Sequence, residues 1–357
     1  MRILLLGDIS LAANQSYSVD SLDFLLDVDH IIANLEGPIL PEREIKEIEK
    51  NKDRVLYNSP AVVDVLEKFK VDQVSLANNH IFDHGDNIHF TKRTLTKAGI
   101  GCFGAGDSLT EAQKPYVLPG KERDLKVFGF GWDVIGCQYP VGEKPGVNPL
   151  EPDHLLQTIR DLRANDSRSA VIFYLHWNYE LEKYPQPADR QLARKLIEEG
   201  VDAVIGLHPH IPQGAESYRG KPIIYSLGNW FFPPRNFGPV SLNFSPAPSR
   251  QIAVEINLSP GQTYPVHFHW VIFDPLSQTI QFERTEGWDG EMIAELSPFS
   301  GMSDREYLSW FRLNKKKHIS LPIYRDYSLR IENWIKDSYV KLRQQMIWLL
   351  VKLHLKT

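Results

Sequence analysis

Five times in this chain a short apolar run of strand-forming residues stops at a side chain that can hold a cation. Ile3-Leu4-Leu5-Leu6-Gly7 delivers Asp8, and His30–Asn34 delivers Asn34 and Glu36. Gln73–Ala77 is followed by Asn79-His80, Ala170–Leu175 by His176, and Ala203–Ile205 by His208 and His210. In an open α/β sheet the strand ends on one edge converge, so residues far apart in sequence share one crevice. Taken singly each has a plainer explanation: an Asp after a strand caps a helix or closes a turn, and a lone buried His packs. Together, carboxylate oxygens, an amide oxygen and imidazoles form a donor set suited to Mn, Fe or Zn. His208-Pro209-His210 adds weight, because alternate residues of an extended segment point the same way and proline drives its predecessor out of the helical region.

The rest of the pattern agrees with a layered α/β domain. Further strands are expected at Lys126–Phe130 and Ile223–Tyr225, with helices at Pro60–Phe69 and Pro187–Glu199, the latter stopped by Gly200. Gln251–Leu258, Val266–Phe273 and Thr279–Glu283 read as antiparallel strands completing a second sheet, and the Gly- and Pro-rich stretch Gly136–Pro149 as a loop over the site. We expect this body to span residues 1–300 and a helical extension to span 301–357. In the extension Ile335, Tyr339, Leu342, Met346, Leu349 and Leu353 recur at alternating four- and three-residue steps among basic residues. That stripe fits packing on its own domain, a homodimer, or peripheral contact with a membrane surface.

Bulk properties narrow the function. A net charge of -5 in 357 residues gives no general attraction to nucleic acid. Two cysteines, Cys102 and Cys137, exclude a disulfide framework or a cysteine-based zinc site; they suffice for one bridge, but two buried free thiols are expected. The first apolar run is too short for a signal peptide or a membrane span, so the expected location is cytoplasmic, with the last helix as the one means of reaching a membrane.

The segments Gly7-Asp8, Asn34-Leu35-Glu36-Gly37-Pro38, Leu76-Ala77-Asn78-Asn79-His80 with Asp83 and Gly85, and Gly104-Ala105-Gly106 resemble the CapA family of capsule and poly-γ-glutamate biosynthesis proteins. So do His176-Trp177-Asn178-Tyr179-Glu180, Gly206-Leu207-His208-Pro209-His210 with Gln213, and Tyr225-Ser226-Leu227-Gly228-Asn229-Trp230. The resemblance runs in order from residue 1 to about 285. Since that family is similar to calcineurin-like metallophosphoesterases, it implies a four-layer αββα sandwich of two mixed sheets. It also implies one or two divalent ions. Asp8 and His210 would serve a first metal, Asn79, His176 and His208 a second, and Glu36 would bridge them. His80 would be the general acid, oriented by Asp83. Asn34, Arg54, Trp177, Glu180, Gln213 and Asn229 are candidates for holding a substrate, against the plainer reading that they close turns, pack or are solvated.

The chain departs from the phosphoesterase pattern where it matters most, at Asp8-Ile9-Ser10 in place of Asp-x-His, so the first metal loses an imidazole, and Glu36 in place of the bridging aspartate adds a methylene. The implied function is metal-dependent hydrolysis of a phosphoester or related anhydride, on a small molecule or polymer precursor. Two alternatives stay open: amide-bond or polymer-modifying chemistry, which an ATP requirement would favour, and an accessory role binding metal or polymer within a synthase.

Overall fold

In the computed structural model the structure describes residues 1–13, 18–19, 22–51, 53, 55–85, 87–237, 240–242, 249–259, 261, 263–316 and 321–352. The N-terminal run forms β1 (Arg2–Ile9), parallel to β2 (His30–Leu35). Helix α1 (Val62–Lys68) leads to β3 (Gln73–Ser75), and α2 (Ile88–Lys97) to β4 (Gly101–Phe103), each strand parallel to the one before. The chain then builds a second sheet from β5 (Leu125–Gly131), helix α3 (Pro152–Asn165), β6 (Ala170–His176), helix α4 (Pro187–Glu199), β7 (Ala203–Leu207) and β8 (Lys221–Ile224). It returns to the first sheet with β9 (Asn229–Phe231), parallel to β1, and continues through β10 (Arg235–Phe237), which pairs with Val240–Leu242.

The last strands correct the expectation of a second sheet. β11 (Ser249–Asn257) pairs antiparallel with β1 itself, and β12 (Val266–Asp274) and β13 (Thr279–Glu286) follow it outward. They extend the sheet begun at the N-terminus, while the second sheet comes from the middle of the chain. Alternation along a strand says which faces are buried, but not which edge it joins.

Two clusters of buried side chains define the layers. Ile3, Leu5 and Ile32 from the first sheet meet Val127, Ile172, Tyr174 and Ile205 from the second, so the sheets pack face to face. On the outer faces Leu4, Ile31 and Val74 lie in a cluster with Val65, Leu66 and Leu95 of α1 and α2. Val171, Phe173 and Val204 lie in it with Leu155, Ile159, Leu192 and Leu196 of α3 and α4. The result is the four-layer αββα sandwich. Each layer is held by the same means, since burying one fully exposed Leu or Ile side chain contributes about 2 kcal/mol.

The extension adds α5 (Asp304–Asn314), opened by a reciprocal cap between Ser303 and Glu306, and α6 (Arg330–Lys352). Tyr307, Phe311, Tyr324 and Val340 join the main core. The heptad-like stripe does not pack on its own chain: Ile335 is 56%, Tyr339 49%, Leu342 57%, Met346 56% and Leu349 51% exposed, and Leu353 lies outside the described residues. What docks α6 is the opposite face, with Val340 buried, Tyr324 Oη donating to Asp337 Oδ1 at 2.6 Å, and Lys341 paired to Asp133. Among the described residues no helix is long and apolar enough to cross a membrane. Cys102 and Cys137 are both free.

Candidate metal centre

Asp8 ends β1 because Gly7 lets the chain press against its neighbour. A Cβ on Gly7 would lie 2.0 Å from the carbonyl oxygen of Gly228, and Asp8 N donates to that same oxygen at 2.9 Å. Strand register then sets Asp8 beside Asn34 on one side and Asn229 on the other. Asn34 is a bridge between the carboxylates: its Nδ2 donates to Asp8 Oδ1 at 2.8 Å and to Glu36 Oε2 at 2.6 Å. Asn78 pins the next strand end, donating to Asn34 Oδ1 at 3.2 Å and to Leu35 O at 2.8 Å while accepting from Gly37 N and His80 N.

The second sheet supplies the imidazoles. His176 closes β6, with Nε2 2.8 Å from Asn79 Oδ1 and 3.6 Å from Glu36 Oε1. Its ring lies 4.9 Å from that of His208, which is 5.8 Å from that of His210. His210 Nδ1 sits 2.8 Å from Asn229 Oδ1 and 3.4 Å from Asp8 Oδ2. The expectation of an extended His208–His210 segment does not hold: φ is +92° at His208 and +59° at His210. Proline excludes only the right-handed helical region for His208, and the chain takes a left-handed bend. Such a conformation costs on the order of 1–3 kcal/mol per residue, and tends to sit where a site needs a side chain re-aimed.

Two sets of donor atoms, Asp8/Glu36/His176 and Glu36/His208/His210, each lie within 4.8 Å of one another, and Glu36 belongs to both. All five residues are buried, yet Asp8 Oδ2, Glu36 Oε1, His176 Nδ1 and His208 Nδ1 have no hydrogen-bond partner. Burying an unpaired charge is expensive, and the protonation states reflect it. Burial first, then the charge of Asp8, pushes the Glu36 carboxyl up to about 8. Burial and the neighbouring imidazoles hold His176 and His208 neutral, well below the ordinary histidine value. At His210 burial acts in the same direction, but the close Asp8 carboxylate and the charge of Glu36 outweigh it and raise the ring to about 9. A divalent cation would satisfy the carboxylates and the neutral imidazoles at once.

His80 stands at the rim, with its side chain 27% exposed and Nδ1 2.7 Å from Asp83 Oδ2. Burial works against its protonated form, but Asp83, Glu36 and Glu180 together raise it to about 9. Gly136 approaches Asn79, with its hypothetical Cβ 3.8 Å from Asn79 Cβ, so the Gly- and Pro-rich stretch does reach the site.

The candidate substrate contacts fare differently. Trp177 faces the core: it is 1% exposed and its indole nitrogen donates to Tyr225 O at 3.0 Å, which removes it from the crevice. Gln213 is buried and donates to Glu182 O at 2.8 Å, which ties it to the segment after His176. Asn34 and Asn229 hold Asp8, Glu36 and His210 rather than face solvent, because both are buried beneath them. Glu180 is exposed near the rim, and Arg54 lies outside the described residues. Sequence reasoning missed Arg235, Asn58 and the pinning role of Asn78. Arg235 is 4% exposed and donates to Ser10 Oγ at 2.5 Å and to Tyr57 O. Its one sequence signal was an arginine amid the apolar, proline-rich stretch Trp230–Phe237.

Comparison with known proteins adds three kinds of likeness. The family described as "Bacterial capsule synthesis protein PGA_cap" matches residues 4–234. A PGA biosynthesis protein CapA of Bacillus subtilis (strain 168) is 30% identical over 207 residues, covering 57% of this chain and 53% of that protein. A capsule biosynthesis protein CapA of Bacillus anthracis is 26% identical over 212 residues, covering 58% and 52%. A protein of Mycobacterium tuberculosis (strain CDC 1551 / Oshkosh), named a probable polyglutamine synthesis accessory protein, is 31% identical over 215 residues, covering 56% and 55%. The chain thus spans about half the length of these relatives. Among solved structures, the NAD nucleotidase of Haemophilus influenzae aligns with a TM-score of 0.37 at 13% identity, over 80% of this chain and 49% of that one. A 5'-nucleotidase precursor from Thermus thermophilus aligns with a TM-score of 0.39 at 14% identity, over 80% and 53%.

Proposed function

The chain belongs to the PGA_cap family of bacterial capsule synthesis proteins, and from that premise we propose that it is a divalent-metal-dependent hydrolase of a phosphoester or related anhydride. Its substrate would be a small molecule or a precursor in capsule, polyglutamate or other cell-surface polymer metabolism. The observation that carries this reading is the buried group of Asp8, Glu36, His176, His208 and His210, whose ligand-type atoms form two sets that share Glu36, while one buried atom each of Asp8, Glu36, His176 and His208 has no hydrogen-bond partner. Asp8, Glu36, His176, His208 and His210 would hold the ion, with Asn79 as an amide donor beside His176. When bound, such an ion polarises a phosphoryl oxygen and makes a water nucleophilic at neutral pH.

The chain's own groups would do the rest. Protonated His80 sits at the rim, where it can give its Nε2 proton to a leaving oxygen, while Asp83 fixes the ring through Nδ1. Asn34 keeps the Asp8 and Glu36 carboxylates in a set orientation. Asn229 does the same for His210.

A second reading, a metal- or polymer-binding accessory protein without turnover, is favoured by one observation. Ser10, at the position of the missing imidazole, is fully buried and hydrogen-bonded to protein groups. Elemental analysis of the untagged chain, with p-nitrophenyl phosphate and bis-p-nitrophenyl phosphate assays in added Mn, separates the two. Metal-dependent turnover that falls about 100-fold or more in His80→Ala, at unchanged metal content, is the expected result. Metal content without turnover under any added ion would favour the accessory reading. Loss of metal in His80→Ala would make His80 a ligand instead.

A further inference from the structure

We infer that Arg235 supplies from the protein the positive charge a second metal ion would bring, so that this centre takes one tightly held divalent ion per chain. The inference rests on the metal-centre reading above and specifies its stoichiometry. Ser10 directly follows β1, two residues after Asp8, and the register of the strand shifts between Asp8 and Ile9. Its hydroxyl reaches Glu36 O, which sets it beside the segment that carries Glu36.

Its hydroxyl is already committed. Ser10 Oγ lies 3.1 Å from both Glu36 O and Asn58 Oδ1, to which it can donate, and it accepts from Arg235 Nη2 at 2.5 Å. Asn58 is itself locked, donating to Glu36 O at 2.8 Å and Gly37 O at 2.9 Å and accepting from Leu11 N. A hydroxyl has one proton and two acceptor positions. With a guanidinium donating to it, Ser10 Oγ faces a cation that a metal would have to displace.

The guanidinium is built in. Arg235 is 4% exposed, its centre lies 5.8 Å from the Tyr57 ring and 5.6 Å from the Phe232 ring, and Phe232 packs against the His210 imidazole at 5.5 Å. Among the described residues no carboxylate lies within ion-pair distance of Arg235, and its Nε–H has no partner. A buried cation without a counter-charge is costly, so something nearby must offset it. The Glu36 charge acts favourably on it, and Asp8 and Glu36 are the acids of the metal-type cluster.

Charge balance then decides between one ion and two. The two carboxylates neutralise one divalent ion, and Arg235 leaves one positive charge over; a second divalent ion would leave three in a closed crevice. One excess charge suits an incoming anionic group, whereas three at close quarters repel strongly. This is also why Ser10 is tolerated where Asp-x-His is the rule: the serine is the seat of a guanidinium, not a failed ligand.

The test is ion stoichiometry, by titration calorimetry and elemental analysis of the chelator-stripped full chain with Mn and with Zn. The expected wild-type result is one ion per chain. The double variant Ser10→His with Arg235→Ala should bind two, and Arg235→Lys, which keeps the charge, should stay at one. Should the double variant not fold, Arg235→Gln should raise affinity for a second ion by about tenfold or more. Two ions of similar affinity in the wild type would overturn the inference and leave the metal centre standing. One ion in a folded double variant would overturn it as well. No ion in the wild type would overturn the metal-centre reading, and this inference with it.

Discussion

Two buried glutamates in this molecule titrate in opposite directions. Glu36 is fully buried next to Asp8, and its carboxyl is pushed up to about 8. Glu216 is 5% exposed, and burial pushes it up too, yet it ends below the ordinary glutamate value because Arg190 and Arg194 outweigh that effect. Arg190 Nε lies 2.5 Å from Glu216 Oε1 and Nη2 3.1 Å from Oε2, Arg194 adds a further bond, and Tyr225 Oη donates at 2.9 Å. Arg190 also donates to Met302 O at 2.8 Å and lies over the Tyr307 ring, tying α4 to the start of the extension. The lesson is that burial alone does not mark a functional carboxylate. Glu216 has its cations in the chain and is finished as a structural joint, whereas Glu36 has a second carboxylate for a neighbour and an oxygen without a partner.

The contrast breaks most readily at Glu216. Glu216→Ala leaves the buried Arg190 with only the half-exposed Asp304, 3.5 Å away, as counter-charge, so it should lower folding stability by about 3–5 kcal/mol, seen as a lower urea midpoint, with metal content per folded chain unchanged. A change of less than about 1 kcal/mol would mean the pair is not the joint described here. Glu36→Gln should do the reverse. Metal affinity should fall by about 100-fold or more, while the metal-free protein keeps or gains thermal stability, because one of two adjacent buried carboxylates is gone. Equal metal affinity in that variant would remove Glu36 from the centre.

Asp189 sharpens the comparison through pH. It is 1% exposed under the extension, accepts from Tyr327 Oη through Oδ1 and leaves Oδ2 unpartnered. Burial raises it from 3.8 to about 7, against the opposing influence of Tyr327. A carboxyl raised in the folded state contributes stability in full below its unfolded value, and that contribution is lost as pH rises through the folded value. The wild type should therefore lose stability relative to Asp189→Asn between about pH 4 and 7, with a slope of at most about 1.4 kcal/mol per pH unit. Parallel stability curves for the two proteins would place Asp189 with Glu216 instead.

Much of the body was legible without coordinates, because strands and donors leave local marks. Apolar runs ending at Asp8, Asn34, His176 and Leu207 are strands that stop at the crevice, and α4 runs from Pro187 to Glu199, as proline and the following Gly200 require. What stayed hidden is non-local. The last three strands read as strands from their β-rich apolar runs, and only the pairing of β11 with β1 assigns them to the first sheet. Trp177 and Gln213 follow site residues closely in the chain, but the Trp177 indole nitrogen is claimed by Tyr225 O and the Gln213 amide nitrogen by Glu182 O. The stripe on α6 has the spacing of a packing face and is exposed, since the opposite face carries Val340 into the core.

The sequence by itself determined that donors of metal-ligand type stand at the ends of buried strands, since hydrophobic period and residue chemistry are properties of neighbours in the chain. Only the tertiary structure decided which of them meet and what balances their charge. Ser10 and Arg235 stand 225 positions apart in the chain yet share a hydrogen bond. Electrostatic energy in a buried crevice depends on distance and on the exclusion of water, and a linear sequence specifies neither.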